Sequence, residues 1–214
     1  MIAVLTGDII DSRKLPSQDI WLQPLKSLLG QCGTSPQQWD IYRGDSFQLA
    51  LEDPAEALKA AIRIKALIKS LSPEKEQERI SEIDVRLAIG IGEKNYEGAG
   101  IAESNGPVFI QSGERLEKLK KEKITLAIQT PWEDLNREMN LFLRLASILM
   151  DSWTISSGEI VNLVFEKPDQ TQSKIGQQLG IKQNTVSDRL RRAHIEDILE
   201  LDQLFREKLQ KHLK

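Results

Sequence analysis

Residues 39–51 read WDIYRGDSFQLAL, and their pattern sets the class of the N-terminal half of the chain. Two segments rich in aromatic and apolar residues lie on either side of Arg43-Gly44-Asp45. Short segments of this kind, separated by a turn that contains glycine, predict a β-hairpin. The protein is therefore expected to contain an antiparallel pair of strands, with Asp45 at the tip of the hairpin.

The segments around the hairpin alternate between strand and helix patterns. Their order, β-α-β-β-α-β-α-β, is typical of an antiparallel or mixed sheet with helices packed on it. Residues 1–130 are therefore predicted to form an α+β domain of the ferredoxin-like kind. The predicted strands outside the hairpin are residues 2–5, 84–91 and 124–128, and the predicted helices are residues 20–29, 54–71 and 107–121.

The strand pattern stops near Pro131. Residues 131–214 carry only helical patterns and predict a second, all-helical domain with its boundary near Pro131. The last predicted helix, from Ile195, has one apolar stripe along its length. That stripe has two interpretations: it pairs two subunits, or it folds back onto helices of its own chain.

Residues 171–193, TQSKIGQQLGIKQNTVSDRLRRA, form the most specific motif of the chain. Gly180 lies between two short helical segments, and its freedom to adopt positive φ lets one helix end and the next begin within a few residues. Thr171 or Ser173 is suited to cap the first helix. The motif predicts a helix-turn-helix, and it resembles that of sigma-factor region four and of many small regulators. The side chains expected in its core are Ile175, Leu179, Ile181, Val186 and Leu190.

Positive charge is concentrated in this motif. The whole chain has a net charge of −3, whereas residues 171–193 contain five basic residues and one acidic residue. Amide, hydroxyl and guanidinium groups on the second helix suit base edges in the major groove, and basic side chains suit phosphates. We therefore predict duplex DNA as the partner, and a helical hairpin with a solvated basic face is the alternative. The predicted DNA-binding residues are Lys182, Gln183, Asn184, Thr185, Ser187, Asp188, Arg189, Arg191 and Arg192.

Two aspartates of the N-terminal half, Asp8 and Asp45, are expected at a strand end and at the hairpin tip. Hard carboxylate oxygens bind Mg²⁺, and the oxygens of a triphosphate fill its remaining positions. The two side chains are therefore candidate metal ligands, although two isolated aspartates are a weak signal when taken from the residues alone.

Four segments surround these aspartates and the helix that follows them: TGDIIDSR (6–13), YRGDSFQL (42–49), DVRLAIGIGE (84–93) and ESNGPVFIQSGERLEKLKKE (103–122). Together they resemble the class III nucleotidyl cyclase fold and, more closely, the SatD family that shares it. The resemblance implies a metal at Asp8 and Asp45. It also implies a phosphate contact from Arg115 and from Gln111, which stands where asparagine is usual. The lysine with which cyclases read the purine would fall near Ile41, which cannot donate a hydrogen bond to a base.

These observations favour a DNA-binding transcriptional regulator with a cyclase-like N-terminal domain. That domain is interpreted either as a sensor of Mg²⁺ with a nucleotide or another phosphorylated ligand, or as a scaffold that dimerises the protein. The missing purine-reading lysine argues against catalysis. The main alternative is a metal-dependent enzyme of the nucleotidyl cyclase type that transfers a phosphoryl group. A third is a protein-interaction module whose basic face meets an acidic partner. A homodimer would suit a DNA site with twofold symmetry.

Composition and the N-terminus predict where the protein resides. Cys32 is the only cysteine, so neither an intramolecular disulfide nor a cluster of thiols for zinc can form. Met1 leads directly into a strand-like segment, and no apolar run approaches the length of a membrane span. We therefore expect a cytoplasmic protein with no membrane partner.

Overall fold

A computed structural model of the chain describes residues 1–42, 44–71 and 83–213. Arg43, which the hairpin prediction includes, lies outside them. The described residues form a five-stranded sheet and eight α-helices, so the α+β class and the predicted order of the first eight elements are confirmed. The strands are β1 (Ile2–Ile10), β2 (Trp39–Tyr42), β3 (Ser46–Leu51), β4 (Asp84–Gly92) and β5 (Leu126–Gln129). The helices are α1 (Asp19–Cys32), α2 (Ala57–Ser70), α3 (Pro107–Glu122), α4 (Glu133–Asp151), α5 (Ile155–Glu166), α6 (Gln172–Leu179), α7 (Gln183–Arg192) and α8 (Ile195–Leu213).

The sheet is mixed, with the strand order β2-β3-β1-β4-β5. The first four strands pair antiparallel, and β5 lies parallel to β4 at one edge. The predicted hairpin is confirmed, because Tyr42 of β2 pairs with Ser46 of β3 and Asp45 lies in the turn between them. The long central strand β1 is therefore flanked by β3 on one side and by β4 on the other.

The expectation that Asp8 follows the first strand is wrong. β1 runs on to Ile10, and within it Asp8 is opposite Ser46 of β3 and Arg86 of β4. The strand continues because its backbone finds ladder partners on both sides, and Ile9 supplies a buried apolar side chain beyond the polar residues. Asp8 is therefore fixed on a sheet face between two other strands.

The two faces of the sheet carry different helices. Leu5, Phe47 and Leu87 point into the main core, to which α1 and α2 also contribute. Val4 and Ala88 lie on the opposite face, in two smaller clusters with side chains of α3. A methyl group added at Gly90 would lie 2.7 Å from the backbone oxygen of Val108, so a glycine there lets α3 approach β4 closely. α3 thus packs against β1, β4 and β5 on this face.

The helices after β5 share the main core with the sheet. α5 packs against α2, where a methyl group added at Gly158 would lie 2.6 Å from the oxygen of Ala66. The apolar stripe of α8, which includes Phe205, is buried against its own chain, and Arg206 pairs with Glu56 at 2.6 Å. Of the two interpretations of that stripe, the structure therefore shows the one in which it folds back. None of the described helices combines the length and the apolar character needed to cross a bilayer.

Candidate nucleic-acid interface and sheet-face site

Helices α6 and α7 lie on either side of the predicted turn. The hydroxyl of Thr171 accepts a hydrogen bond from the backbone N–H of Lys174 at 3.4 Å, so Thr171 caps α6. Gly180 ends the helix with φ at +66°, in the left-handed region that favours glycine. The N–H of Ile181 then donates to the oxygen of Gly176 at 2.9 Å. Only three residues, 180–182, therefore separate the end of α6 from the start of α7.

A buried apolar contact holds these two helices together. Ile175 of α6 and Val186 of α7 are almost fully buried. All five side chains predicted for this core belong to it or pack against it, namely Ile175, Leu179, Ile181, Val186 and Leu190. The angle between the helices is thus set by apolar packing at their crossing, and this leaves the opposite side of α7 to solvent.

The outer face of α7 is polar and exposed. Arg191 pairs with Asp188 at 3.3 Å on that surface, where both side chains are well exposed. No side chain caps the beginning of α7, so the backbone N–H groups of its first turn are not satisfied by a side chain at the cap. The exposed members of the predicted set are Lys182, Gln183, Asn184, Thr185, Ser187, Asp188, Arg191 and Arg192.

Arg189 does not belong to this outer face. It is 6 % exposed, and its guanidinium donates to the carboxylate of Glu159 on α5 at 3.1 Å. Residues three apart lie on the same side of a helix, so Arg189 follows Val186 into the interior. The prediction that Arg189 contacts a phosphate is therefore replaced by a structural role, in which it fastens α7 to α5.

The end of α7 is also tied to the helices behind it. The indole N–H of buried Trp153 donates to the backbone oxygen of Ala193 at 3.1 Å. Together with the Arg189–Glu159 pair, this bond fixes the second half of α7, while the side chains of Gln183, Asn184 and Thr185 at its start are exposed. A rigid base with an exposed helix start is the arrangement that a groove-reading helix needs.

A second candidate site lies on the sheet face that carries α3. One cross-strand row places Tyr42, Ser46, Asp8 and Arg86 side by side on four adjacent strands. Arg86 donates to the carboxylate of Asp8 at 3.2 Å. We call these four residues, together with Asp45 at the hairpin turn, the sheet-face site.

The structure brings the two predicted metal ligands to the same end of the sheet. The backbone N–H of Ile9 donates to the backbone oxygen of Asp45 at 3.0 Å. The hydroxyl of Ser12 donates to the carboxylate of Asp45 at 3.3 Å. Asp45 is thus anchored beside Asp8 by Ile9 of β1 and by Ser12, which follows that strand.

The electrostatic balance at Asp8 combines burial with nearby charges of both signs. Burial raises the pKa of Asp8 above its usual value and Asp45 raises it further, while Arg86 and Lys120 oppose that shift. One carboxylate oxygen of Asp8, Oδ1, is buried and has no hydrogen-bond partner. A cation shared with Asp45 would satisfy this oxygen, so the pair fits a divalent ion. Within the described ranges, no cluster of three or more His, Cys, Asp or Glu side chains suited to a metal is found.

Gln111 and Arg115 do not join the two aspartates within one chain. At 100° per residue, both lie on the flank of α3 opposite to Phe109 and Lys120. Phe109 marks the flank that faces β1, and Arg115 instead pairs with Glu122 of its own helix at 3.2 Å. The predicted phosphate-binding pair therefore lies apart from the sheet-face site.

Ile41 is also placed away from this site. It is opposite Phe47 in the hairpin, on the sheet face that packs into the main core. Its neighbours Asp40 and Tyr42 are the β2 residues on the polar face, because side chains alternate along a strand. The expectation that Ile41 occupies the base-reading position is therefore not met by its orientation.

Several residues that build these sites were not selected from the sequence. A methyl group added at Gly176 would lie 2.8 Å from the backbone oxygen of Ile181, so the turn needs two glycines. A glycine inside a helical pattern was the available signal for this close packing. Glu159 lies 30 residues before Arg189, and no local pattern links the two.

No protein-family model matches the chain, and no curated protein or solved structure matches it significantly. Function is therefore inferred from the residues and their arrangement.

Proposed function

We propose that the protein is a DNA-binding transcriptional regulator in which the first turns of α7 enter the major groove of duplex DNA. One observation carries this proposal: an exposed polar and basic helix face rests on a buried, glycine-turned base formed with α6. An ordinary helical hairpin would also bury its apolar side. Such packing does not explain why basic residues are concentrated on the other side in a chain whose net charge is −3.

The exposed residues divide into two groups by chemistry. Gln183, Asn184 and Thr185 begin α7 and carry amide and hydroxyl groups, which read base edges. Arg191 and Arg192 lie at the end of the same helix, where guanidinium groups would meet the phosphate backbone. The uncapped N–H groups at the start of α7 add a further donor set for a phosphate.

The test is duplex-DNA binding over a series of salt concentrations. Removing two phosphate contacts with Arg191→Ala/Arg192→Ala is expected to weaken binding and to make the slope of log K against log salt shallower by about two. The matched control is Lys118→Ala/Lys121→Ala, which removes the same charge from the exposed side of α3. Equal losses in both variants, or no duplex binding by the wild type at low salt, would reject the proposal.

The sheet supports a more specific proposal for the N-terminal part. We propose for this part the ferredoxin-like fold that the resemblance to class III cyclases and the SatD family implies, and the strand order β4-β1-β3-β2 with antiparallel neighbours supports it. We propose that the sheet-face site senses a divalent cation with a phosphorylated ligand. The unpartnered oxygen of Asp8 favours this second function. Asp8 and Asp45 would hold the cation, and Arg86 would meet the phosphate.

Manganese binding measured by electron paramagnetic resonance tests this second function. Mn²⁺ alone and Mn²⁺ with inorganic triphosphate are titrated into the wild type and into Asp45→Asn. We expect saturable binding that triphosphate strengthens and that the variant lacks, and equal binding by both proteins would refute the site. Turnover of ATP or GTP to a cyclic nucleotide, lost in Asp45→Asn, would support the enzyme alternative instead.

A further inference from the structure

Helix α4 carries an exposed apolar ridge with no partner in the described chain. Leu141, Leu145 and Ile148 are 52 %, 55 % and 66 % exposed. Their spacing of four and three residues places them in one stripe along the helix. Apolar residues scattered singly on a surface need no explanation, but a continuous stripe on one helix marks an interaction surface.

A groove runs beside this ridge, between α4 and α8. It encloses about 300 Å³, and its floor is apolar, with Phe142 and Leu149 from α4 and Leu201 and Leu204 from α8. Its far wall carries Glu200 of α8. The same surface therefore contains a ridge and a groove side by side.

Residues of opposite charge lie on the two borders of this surface. Arg137 and Arg144 flank the ridge on the side away from α8, because both lie about 80–180° around α4 from the α4 residues that line the groove. Glu200 marks the opposite border. Within the described part of the chain, neither Arg144 nor Glu200 forms an ion pair. From one border to the other, the order is acidic wall, apolar groove, apolar ridge and basic flank.

We infer that this surface binds a second copy of the chain, and we call it the α4–α8 face. A twofold axis along α4, placed between ridge and groove, seats the ridge of each copy in the groove of the other. The same rotation brings the basic flank of each copy to the acidic wall of the other. Glu200 and Leu145 both line the groove, and Arg144 precedes Leu145 on α4, so Glu200 would meet Arg144 of the second copy. An axis across α4 would instead place like charges together.

The size of the face suits a dimer contact. α4 and α8 have 19 residues each, so each is about 28 Å long. Two adjacent helices of this length, each about 10 Å across, offer an area on the order of 500 Å², which approaches the roughly 800 Å² per partner of a standard interface. The groove is lined by residues of α4 and α8 and by none of the sheet-face site or of α7, so this inference goes beyond the proposed function.

Sedimentation velocity of the full chain tests the inference, with variants that leave the interior untouched. We expect a dimer for the wild type and for Ile110→Asp, which changes an exposed side chain on α3. Leu145→Asp places a charge in the groove of the second copy and is expected to weaken the dimer by well over tenfold. Circular dichroism checks that each variant is folded.

A charge exchange identifies the partner surface. Arg144→Glu and Glu200→Arg are each expected to weaken the dimer by about tenfold, and the double variant is expected to regain most of that loss. A monomeric wild type would overturn the inference, as would a dimer that Leu145→Asp leaves intact or a double variant weaker than both single ones. No DNA enters the measurement, so its failure would leave the proposed function standing.

Discussion

The outer face of α7 and the sheet-face site place polar groups in opposite environments. On α7 the candidate side chains are exposed, and the residues that position them, such as Val186 and Arg189, are buried behind them. In the sheet-face site the candidate side chains position one another, as Arg86 does Asp8, and they are partly buried. An exposed face can contact a large polyanion such as duplex DNA over a wide area. A partly buried site instead suits a small ligand that the protein partly encloses.

The largest expected effect comes from placing a charge on each side of α7. Val186→Asp buries an unpaired carboxylate at a fully buried position and is expected to cost more than about 3 kcal/mol and to unfold the α6–α7 unit. Ser187→Asp adds the same charge at an exposed position, so the fold should persist while DNA binding weakens. Urea unfolding and duplex binding measured on both variants would separate the two roles. Equal stability of the two variants would contradict the division into a buried base and an exposed face.

The next-largest effect on stability is expected from substitutions in the turn between α6 and α7. Gly180 has φ at +66°, so Gly180→Val is expected to lower the free energy of unfolding by about 1–2 kcal/mol. Gly180→Asn should lose clearly less, because asparagine tolerates the left-handed region better. A methyl group at this position meets open space, so the loss would report the backbone and not a clash. Equal losses in the two variants, measured by urea unfolding, would argue against the left-handed turn.

The sheet-face site makes a prediction about pH. Since burial raises the pKa of Asp8, the folded state binds a proton more readily than the unfolded state does. Asp8 therefore favours folding increasingly as pH falls through its folded pKa. Asp8→Asn lacks this gain, so the stability of the wild type relative to the variant should rise on acidification from pH 7 to about pH 4, by less than about 1 kcal/mol. A difference that shrinks on acidification would contradict the burial of this carboxylate.

Glu56 is a useful comparison for Asp8, because its pKa is shifted in the opposite direction. A hydrogen bond from Arg206 lowers the pKa of Glu56 below its usual value. Ionised Glu56 therefore contributes its full stabilisation of the folded state above the pKa that it has in the unfolded chain. That stabilisation is lost as pH falls through the pKa that Glu56 has in the folded state. Glu56→Gln should cost less than about 0.5 kcal/mol near pH 7, because the pair is partly exposed, and the difference from the wild type should vanish in acid. Urea unfolding of both variants and the wild type between pH 7 and about pH 4 checks this contrast. On acidification, the wild type should lose its stability advantage over Glu56→Gln and gain stability relative to Asp8→Asn.

The elements of the fold were largely predictable because their signals are local. Apolar periodicity and glycine-containing turns gave the order of the strands and helices, the hairpin at Asp45 and the turn at Gly180. The end of β1 was not predictable in this way. A polar Thr6-Gly7-Asp8 segment has the composition of a loop, and only its pairing with β3 and β4 keeps it in the strand.

The residues of the candidate sites could be predicted where the direction of a side chain follows from the local sequence, and not elsewhere. The apolar side chains between α6 and α7 have helical spacing, and they were predicted from it. Arg189 resembles its neighbours in sequence, but its partner Glu159 belongs to another helix. The base-reading position was carried over from the family to the vicinity of Ile41, whereas the direction of that side chain depends on the register of the hairpin. Long-range partners and register are tertiary properties, which a single sequence does not display.

Enrichment from a pool of random duplexes tests the central claim most directly, because base reading by α7 is the property that defines the proposed regulator. The wild type is expected to enrich a short common sequence. Gln183→Ala/Asn184→Ala should lose that preference while keeping the salt-dependent affinity for unrelated duplexes, since amides read bases and basic side chains meet phosphates. Enrichment of the same sequence by both proteins, or of none by the wild type, would contradict the account.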